Sequence, residues 1–294
     1  MARLSVPEIL RKVRRVRLAA NRQVDDLLSG GYQSVFRGQG MEFDEVREYQ
    51  PGDDIRSIDW NVTARAGRPF VKRYSEEREL TVLFVVDVSA SGVFGSQDGA
   101  KLDLLIELAA VLMFAAARNQ DKVGLLFFAG EVLQFVPPRK GRGHVMRCLR
   151  ELVAVEPRAG GTDIAAAAEY LRGVQKRRAV VFLLSDFLAP LDERVLAAVK
   201  HRHDLIAVSV SDPHERELPA AWLRLLDPET GELVEADGRS PAVRRAFADK
   251  AARGEARLAK TLRRSGVDRL PLCCGEAYLQ TLLRFFEMRR RRVH

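Results

Sequence analysis

Asp87, Ser89 and Ser91 follow one another at two-residue spacing in the stretch "VVDVSASGVFGSQDGAKLD", directly after the apolar run "LTVLFVV". Two other segments end in the same kind of side chain. "RAGGTDIAAA" presents Thr162 behind two glycines that permit a sharp bend at the start of a helix, and "VVFLLSDF" closes an apolar run on Asp186. Two carboxylates and three hydroxyls, with no His or Cys among them, form a hard-oxygen set suited to Mg²⁺, with Mn²⁺ or Ca²⁺ as alternatives. Hydroxyls are weak ligands, so a cation held this way keeps much of its positive charge. It would take a further oxygen, and a protein partner supplying an Asp or Glu would find a docking point.

The five residues can meet only if the chain brings three loops to one place. From Leu80 onward strand and helix patterns alternate, which predicts an α/β fold with a mostly parallel sheet and helices on both faces. Strands are expected near 80–87, 122–128, 132–136, 179–185 and 204–210, and helices near 101–119, 143–154, 164–176 and 192–201. The short piece from Val132 is expected to pair antiparallel at a sheet edge. In such a sheet the loops at the carboxyl ends of the strands gather on one edge, and ligands bind there. Further on, "LRLLDPETGELVEAD" reads as a hairpin turning at Asp227 to Gly231. A long amphipathic helix over 241–264, a strand in "VDRLPLCC" and a last helix over 276–290 follow. The first 79 residues differ, with a basic helix and then short alternating segments and glycine turns. Two domains are therefore expected: 1–79, a basic helix and β-rich N-terminal appendage, and 80–294, the α/β domain with its C-terminal hairpin and helices.

D-x-S-x-S at Asp87, Ser89 and Ser91, then Thr162 in "GGT", then Asp186 ending a later strand, resembles the metal-ion-dependent adhesion site of von Willebrand factor A domains over roughly 80–210. Beyond that core, "GQGMEFDEVREYQPGDDIRSIDWNVTARAG", "RKGRGH", "DPHERELP" and "DPETGE" are similar to the bacterial domain of unknown function 58 family over nearly the whole chain. The resemblance implies a von Willebrand factor A-like (Rossmann-like) core, a non-enzymatic interaction role, and a MoxR-type AAA+ ATPase in the partner system. Many members carry N-terminal membrane helices, which this sequence does not show.

In "EVREYQPGDDIRSIDW" the charges could form a peptide or phosphate site. The reading favoured here is a folding signature, with a turn at Pro51 and Gly52, charges paired around it, and Trp60 packed onto the core. No G-x-x-x-x-G-K-[ST] occurs, so the chain is not expected to be an ATPase itself. A metal-dependent hydrolase built on Asp87 is the weaker reading, because the position where a second acid would stand holds Ser89. His144, His201 and His203 have no Cys or second His at ligand spacing.

A chain of 294 residues with 47% hydrophobic content can bury a sizeable core. The longest apolar run, "LAAVLMFAAA", is too short to span a bilayer and reads as a buried helix. With no secretory or transit signal at the N-terminus, a cytoplasmic protein is expected, and the family resemblance implies a bacterial one. Cys148, Cys273 and Cys274 read as reduced core thiols. The net charge of +8 is uneven: residues 1–40 carry 8 basic and 3 acidic side chains, residues 239–294 carry 15 and 5, and the middle carries 25 and 32. A basic, nucleic-acid-associated protein is thus an alternative. The tail "RFFEMRRRRVH" lacks interleaved stacking aromatics and the chain lacks DNA-binding motif spacing, so nucleic acid is the lesser reading and amphipathic helices with solvated Arg faces the better one.

Overall fold

The computed structural model of the chain describes residues 11, 42–75, 80–96, 100–227 and 230–293. The basic helix expected near the N-terminus, and the glycines of "GQG", fall outside those residues. The rest divides into two units, one within Phe36–Leu80 and one holding Thr81–His294.

In the smaller unit, β1 (Glu42–Glu48) pairs antiparallel with β2 (Phe70–Ser75), and α1 (Trp60–Ala66) lies between them in sequence. Asp59 caps α1 by accepting from the backbone N–H of Asn61 and Val62, and Gly67 closes it in the left-handed conformation. The Arg47 guanidinium grips Asp53 through two hydrogen bonds of 2.7 and 2.8 Å, holding the turn at Pro51 and Gly52 and keeping the Asp53 carboxyl below its ordinary value. The paired charges agree with the folding-signature reading. Trp60 does not: it is 67% exposed, and α1 buries none of its residues. The expectation that it packs onto a core is corrected, because a unit this small has too little interior for an indole on its first helical turn.

The larger unit is built on six strands: β3 (Thr81–Asp87), β4 (Lys122–Phe128), β5 (Val132–Arg139), β6 (Val180–Ser185), β7 (Asp204–Ser211) and, after the hairpin β8 (Trp222–Leu226) and β9 (Leu233–Asp237), β10 (Asp268–Cys273). Their order is β10-β7-β6-β3-β4-β5, parallel throughout except for β5, which runs antiparallel at the edge as expected. The helices are α2 (Lys101–Arg118), α3 (Arg142–Ala154), α4 (Ile164–Val174), α5 (Glu193–Arg202), α6 (Pro241–Arg264) and α7 (Tyr278–Val293).

Strand alternation sends Leu83, Val85, Val181 and Leu183 to one face, where they meet Ile164, Leu171, Leu196 and Leu258 of α4, α5 and α6. Phe84 and Phe182 point to the other face and stack at 5.4 Å between ring centroids. There α2 packs on β3, β4 and β7 with most of its length buried, which is why its sequence is apolar on every side. No described helix is long and apolar enough to cross a membrane.

Candidate metal centre

Because β3, β4, β6 and β7 are parallel, the chain leaves each of them at the same edge. Asp87 is the last residue of β3. Just beyond it the Val88 carbonyl accepts from Arg158 N–H at 2.8 Å, and Ser89 bridges to Arg158, so the loop leading into α4 lies against the tip of β3. The far end of that loop is tied to β4, where Asp163 N–H donates to the Ala129 carbonyl at 2.7 Å. A Cβ on Gly130 would come within 2.8 Å of the Gly160 carbonyl, so only glycine permits this closeness. Thr162 is half-buried between the two ties. Capping of α4 falls to Asp163, which accepts from Ala166 N–H at 2.9 Å, so Thr162 is not spent on the helix terminus.

Asp87 is only 5% exposed. One carboxylate oxygen accepts from Ser89 N–H at 3.0 Å and the other from the Ser185 hydroxyl at 2.6 Å. The hydroxyls of Ser89 and Ser91 are hydrogen-bonded to each other at 3.0 Å. Burial pushes the Asp87 carboxyl above its ordinary value against the pull of those hydrogen bonds, and the charge of Asp186 pushes the same way. Ser185 went unnoticed in the sequence; its signal was its place at the end of a strand adjacent to β3.

Asp186 follows β6 and precedes Phe187, whose φ of +55° is uncommon for a bulky residue and marks a tight reversal. One Asp186 oxygen accepts from Leu188 N–H at 3.2 Å, and the other meets the Lys101 ammonium at 2.6 Å. Lys101 is completely buried, and its ammonium also meets Glu215 at 2.6 Å. Burial opposes the charge on Lys101, but Asp186 and Glu215 outweigh it and raise the pKa above its usual value. The other Glu215 oxygen accepts from Asp212 N–H at 2.9 Å. Asp212 in turn accepts from the backbone and hydroxyl of Ser96 and from His214 N–H. The start of α2 and the loops after β3, β6 and β7 are thus joined by one polar network.

Residues 45–257 match the family described as Protein of unknown function DUF58. The chain belongs to the DUF58 family. The uncharacterized protein Rv1480 of Mycobacterium tuberculosis is 36% identical to it over 289 residues, covering 97% of this chain and 91% of that protein. Among solved structures, BatB from Bacteroides thetaiotaomicron aligns at a TM-score of 0.48 and 13% identity over 72% of this chain and 99% of that one. The SpRpn10 VWA domain aligns at 0.39 and 12% over 70% and 94%. The von Willebrand factor A-like core expected of a DUF58 chain, a mostly parallel sheet with helices on both faces, is the architecture described above.

In this DUF58 chain the network at the edge sets four carboxyl groups, Asp87, Asp186, Asp212 and Glu215, against the ammonium of Lys101. Among the described residues no group of three or more His, Cys, Asp and Glu is arranged to hold a metal. All three cysteines are free and buried, as expected of core thiols, and burial pushes Cys148 and Cys274 up to about 11. His144 engages the Val123 carbonyl at 2.9 Å. The basic tail is partly consumed by the fold: Arg289 pairs with Asp204 at 2.7 Å and Asp268 at 3.2 Å, and Arg292 pairs with Asp268 at 2.7 Å. Only part of the arginine run therefore remains for an external phosphate.

Proposed function

We propose that the edge formed by Asp87, Ser89, Ser91, Thr162 and Asp186 holds a divalent cation, Mg²⁺ in the first instance, and that the protein is a non-enzymatic interaction module acting through it. The observation that carries this reading is the 3.0 Å separation of the Ser89 and Ser91 hydroxyls beside a buried carboxylate. Neighbouring oxygens of an octahedral Mg²⁺ at 2.0–2.1 Å lie about 2.9 Å apart, so these two hydroxyls are already spaced as adjacent ligands. Asp87 supports it further: a desolvated carboxylate whose nearest groups are neutral donors and a like charge lacks a cation to balance it.

A dication held there would act as a Lewis acid toward a carboxylate of a partner. The chain's own contribution is fixed geometry. Ser185 and Ser89 N–H orient Asp87, and the loop ties at Val88 and Ala129 support a place for Thr162 at the edge. Lys101 holds Asp186 by one oxygen and leaves the other toward Leu188 N–H. The family resemblance suggests a MoxR-type AAA+ ATPase as the partner system, with the protein as an adaptor in assembly or maturation of other proteins.

Titration calorimetry is expected to show one Mg²⁺ or Mn²⁺ site, lost in Asp87→Ala and in the Ser89→Ala/Ser91→Ala double variant. At 100 times Kd the metal should raise stability by about 2.7 kcal/mol through mass action. A folded Asp87→Ala protein that binds the same metal with unchanged affinity would remove the site. Pull-down with and without chelator then tests whether a partner depends on the metal.

A further inference from the structure

The side of the larger unit covered by α4 and α5 carries a feature that the metal reading does not use. Between these two helices lies a cleft of about 290 Å³. Its floor is small and apolar, with Ala165 and Ala168 from α4 and Val195, Ala198 and Val199 from α5. Large side chains are absent from that floor because the helices turn Ile164, Leu171 and Leu196 inward to the sheet. Arg172, Arg194 and Arg202 rim it, with Glu169 as the single acid in its lining. Glu169 is paired with Arg172 at 3.0 Å, and Arg202 donates to the Lys176 carbonyl, while Arg194 has no acidic partner among the described residues. The rim therefore keeps a positive excess.

At the end of the cleft lies His203. It is 2% exposed, and neither ring nitrogen has a hydrogen-bond partner. A buried imidazole with both nitrogens unsatisfied is costly, and burial with the nearby charges of Arg202 and Arg178 keeps it neutral. A neutral ring has one N–H to give. With that ring closed off, the donors a carboxylate entering the cleft meets are the guanidinium groups of Arg194 and Arg202.

We infer that the cleft between α4 and α5 is a docking groove for an acidic segment of a partner protein, whose apolar side rests on the alanine and valine floor and whose carboxylates meet Arg194 and Arg202. Charge complementarity selects an acidic occupant. A floor without large side chains suits an amphipathic helix laid along the groove, in the manner of other helix-in-groove interfaces. Arginine is among the side chains enriched where such surfaces carry their binding energy. The groove and the metal edge are separate sites, so this inference stands without the metal.

The test places a photo-crosslinking phenylalanine derivative at Ala198 of the full chain in its native host and sequences the captured segment. Capture of an acidic segment of another protein is expected, both with chelator present and in an Asp87→Ala background. A synthetic peptide of that segment should bind Arg172→Glu/Arg194→Glu, both exposed positions where folding is retained, at least about tenfold more weakly than the parent. Capture of a second copy of this chain, of nucleic acid or of a neutral or basic segment overturns the inference, as does no capture. Unchanged peptide affinity in that double variant, or loss of capture on chelation, overturns it too.

Discussion

Replacing Lys101 with Met is expected to destabilise the protein by about 3–5 kcal/mol, because it leaves buried carboxylates without their counter-ion. The ammonium is completely buried and lies 2.6 Å from both Asp186 and Glu215, and the methionine stem fills much the same volume without the charge. Glu215 has some access to water, so the loss should fall toward the lower end of that range. Urea unfolding at constant pH measures it. Neutralising the partners as well, in Lys101→Met/Asp186→Asn/Glu215→Gln, should recover much of the loss, since a buried ionic cluster replaced as a whole costs far less than one broken open. With a dication at the edge, Asp186 regains a positive neighbour, so saturating Mg²⁺ should restore more stability to Lys101→Met than to the parent. A loss under about 1 kcal/mol would show that Lys101 is not the counter-ion for these acids.

That lysine also shows where reading the sequence stops. The alternation of strands and helices from Leu80 was legible because parallel strands buried on both faces are written as unbroken apolar runs, and the antiparallel edge strand from Val132 followed from a connection too short for a crossover. The tips of those strands, Asp87 and Asp186, were legible for the same reason. The hairpin was marked by its turn residues, with Gly231 in the left-handed conformation. The last helix runs to Val293 rather than stopping near 290, since its arginines are good helix formers and two of them are anchored by ion pairs.

A single Lys at the start of an apolar helix has no local signature of burial. Only the arrival of Asp186 and Glu215 from loops 85 and 114 residues away makes it an internal cation. Trp60 failed in the opposite sense: indole composition argues for burial, but burial needs an interior that the small unit around α1 does not provide. Asp212 and Glu215 stood within the quoted "DPHERELP" segment without an assigned task, and the network after β7 now gives them one.

His203 should make the protein sensitive to mild acid, and the sign follows from its surroundings. Burial first, then the charges of Arg202 and Arg178, lower its pKa from 6.5 to about 4. Arg172, Arg194 and Glu169 line the same cleft. Above about pH 6.5 the ring is neutral in both folded and unfolded chains, and its contribution to stability is fully present. As the pH falls toward 4, the unfolded chain takes up a proton that the folded one refuses. Stability therefore drops through that window, by roughly 3 kcal/mol once the pH is below the folded value. His144 is also lowered and acts in the same direction, and the depressed carboxylates of Asp204 and Asp212 add their losses at still lower pH. Those groups are common to the parent and to His203→Leu, so the difference between the two proteins isolates this one ring. Unfolding free energies measured from pH 7 to 4 should fall more steeply for the parent, with the two curves separating between about 6.5 and 4. Parallel curves would mean that His203 takes up its proton without penalty, which a ring closed off from water and facing arginines cannot do unless the helix end at Arg202 opens first.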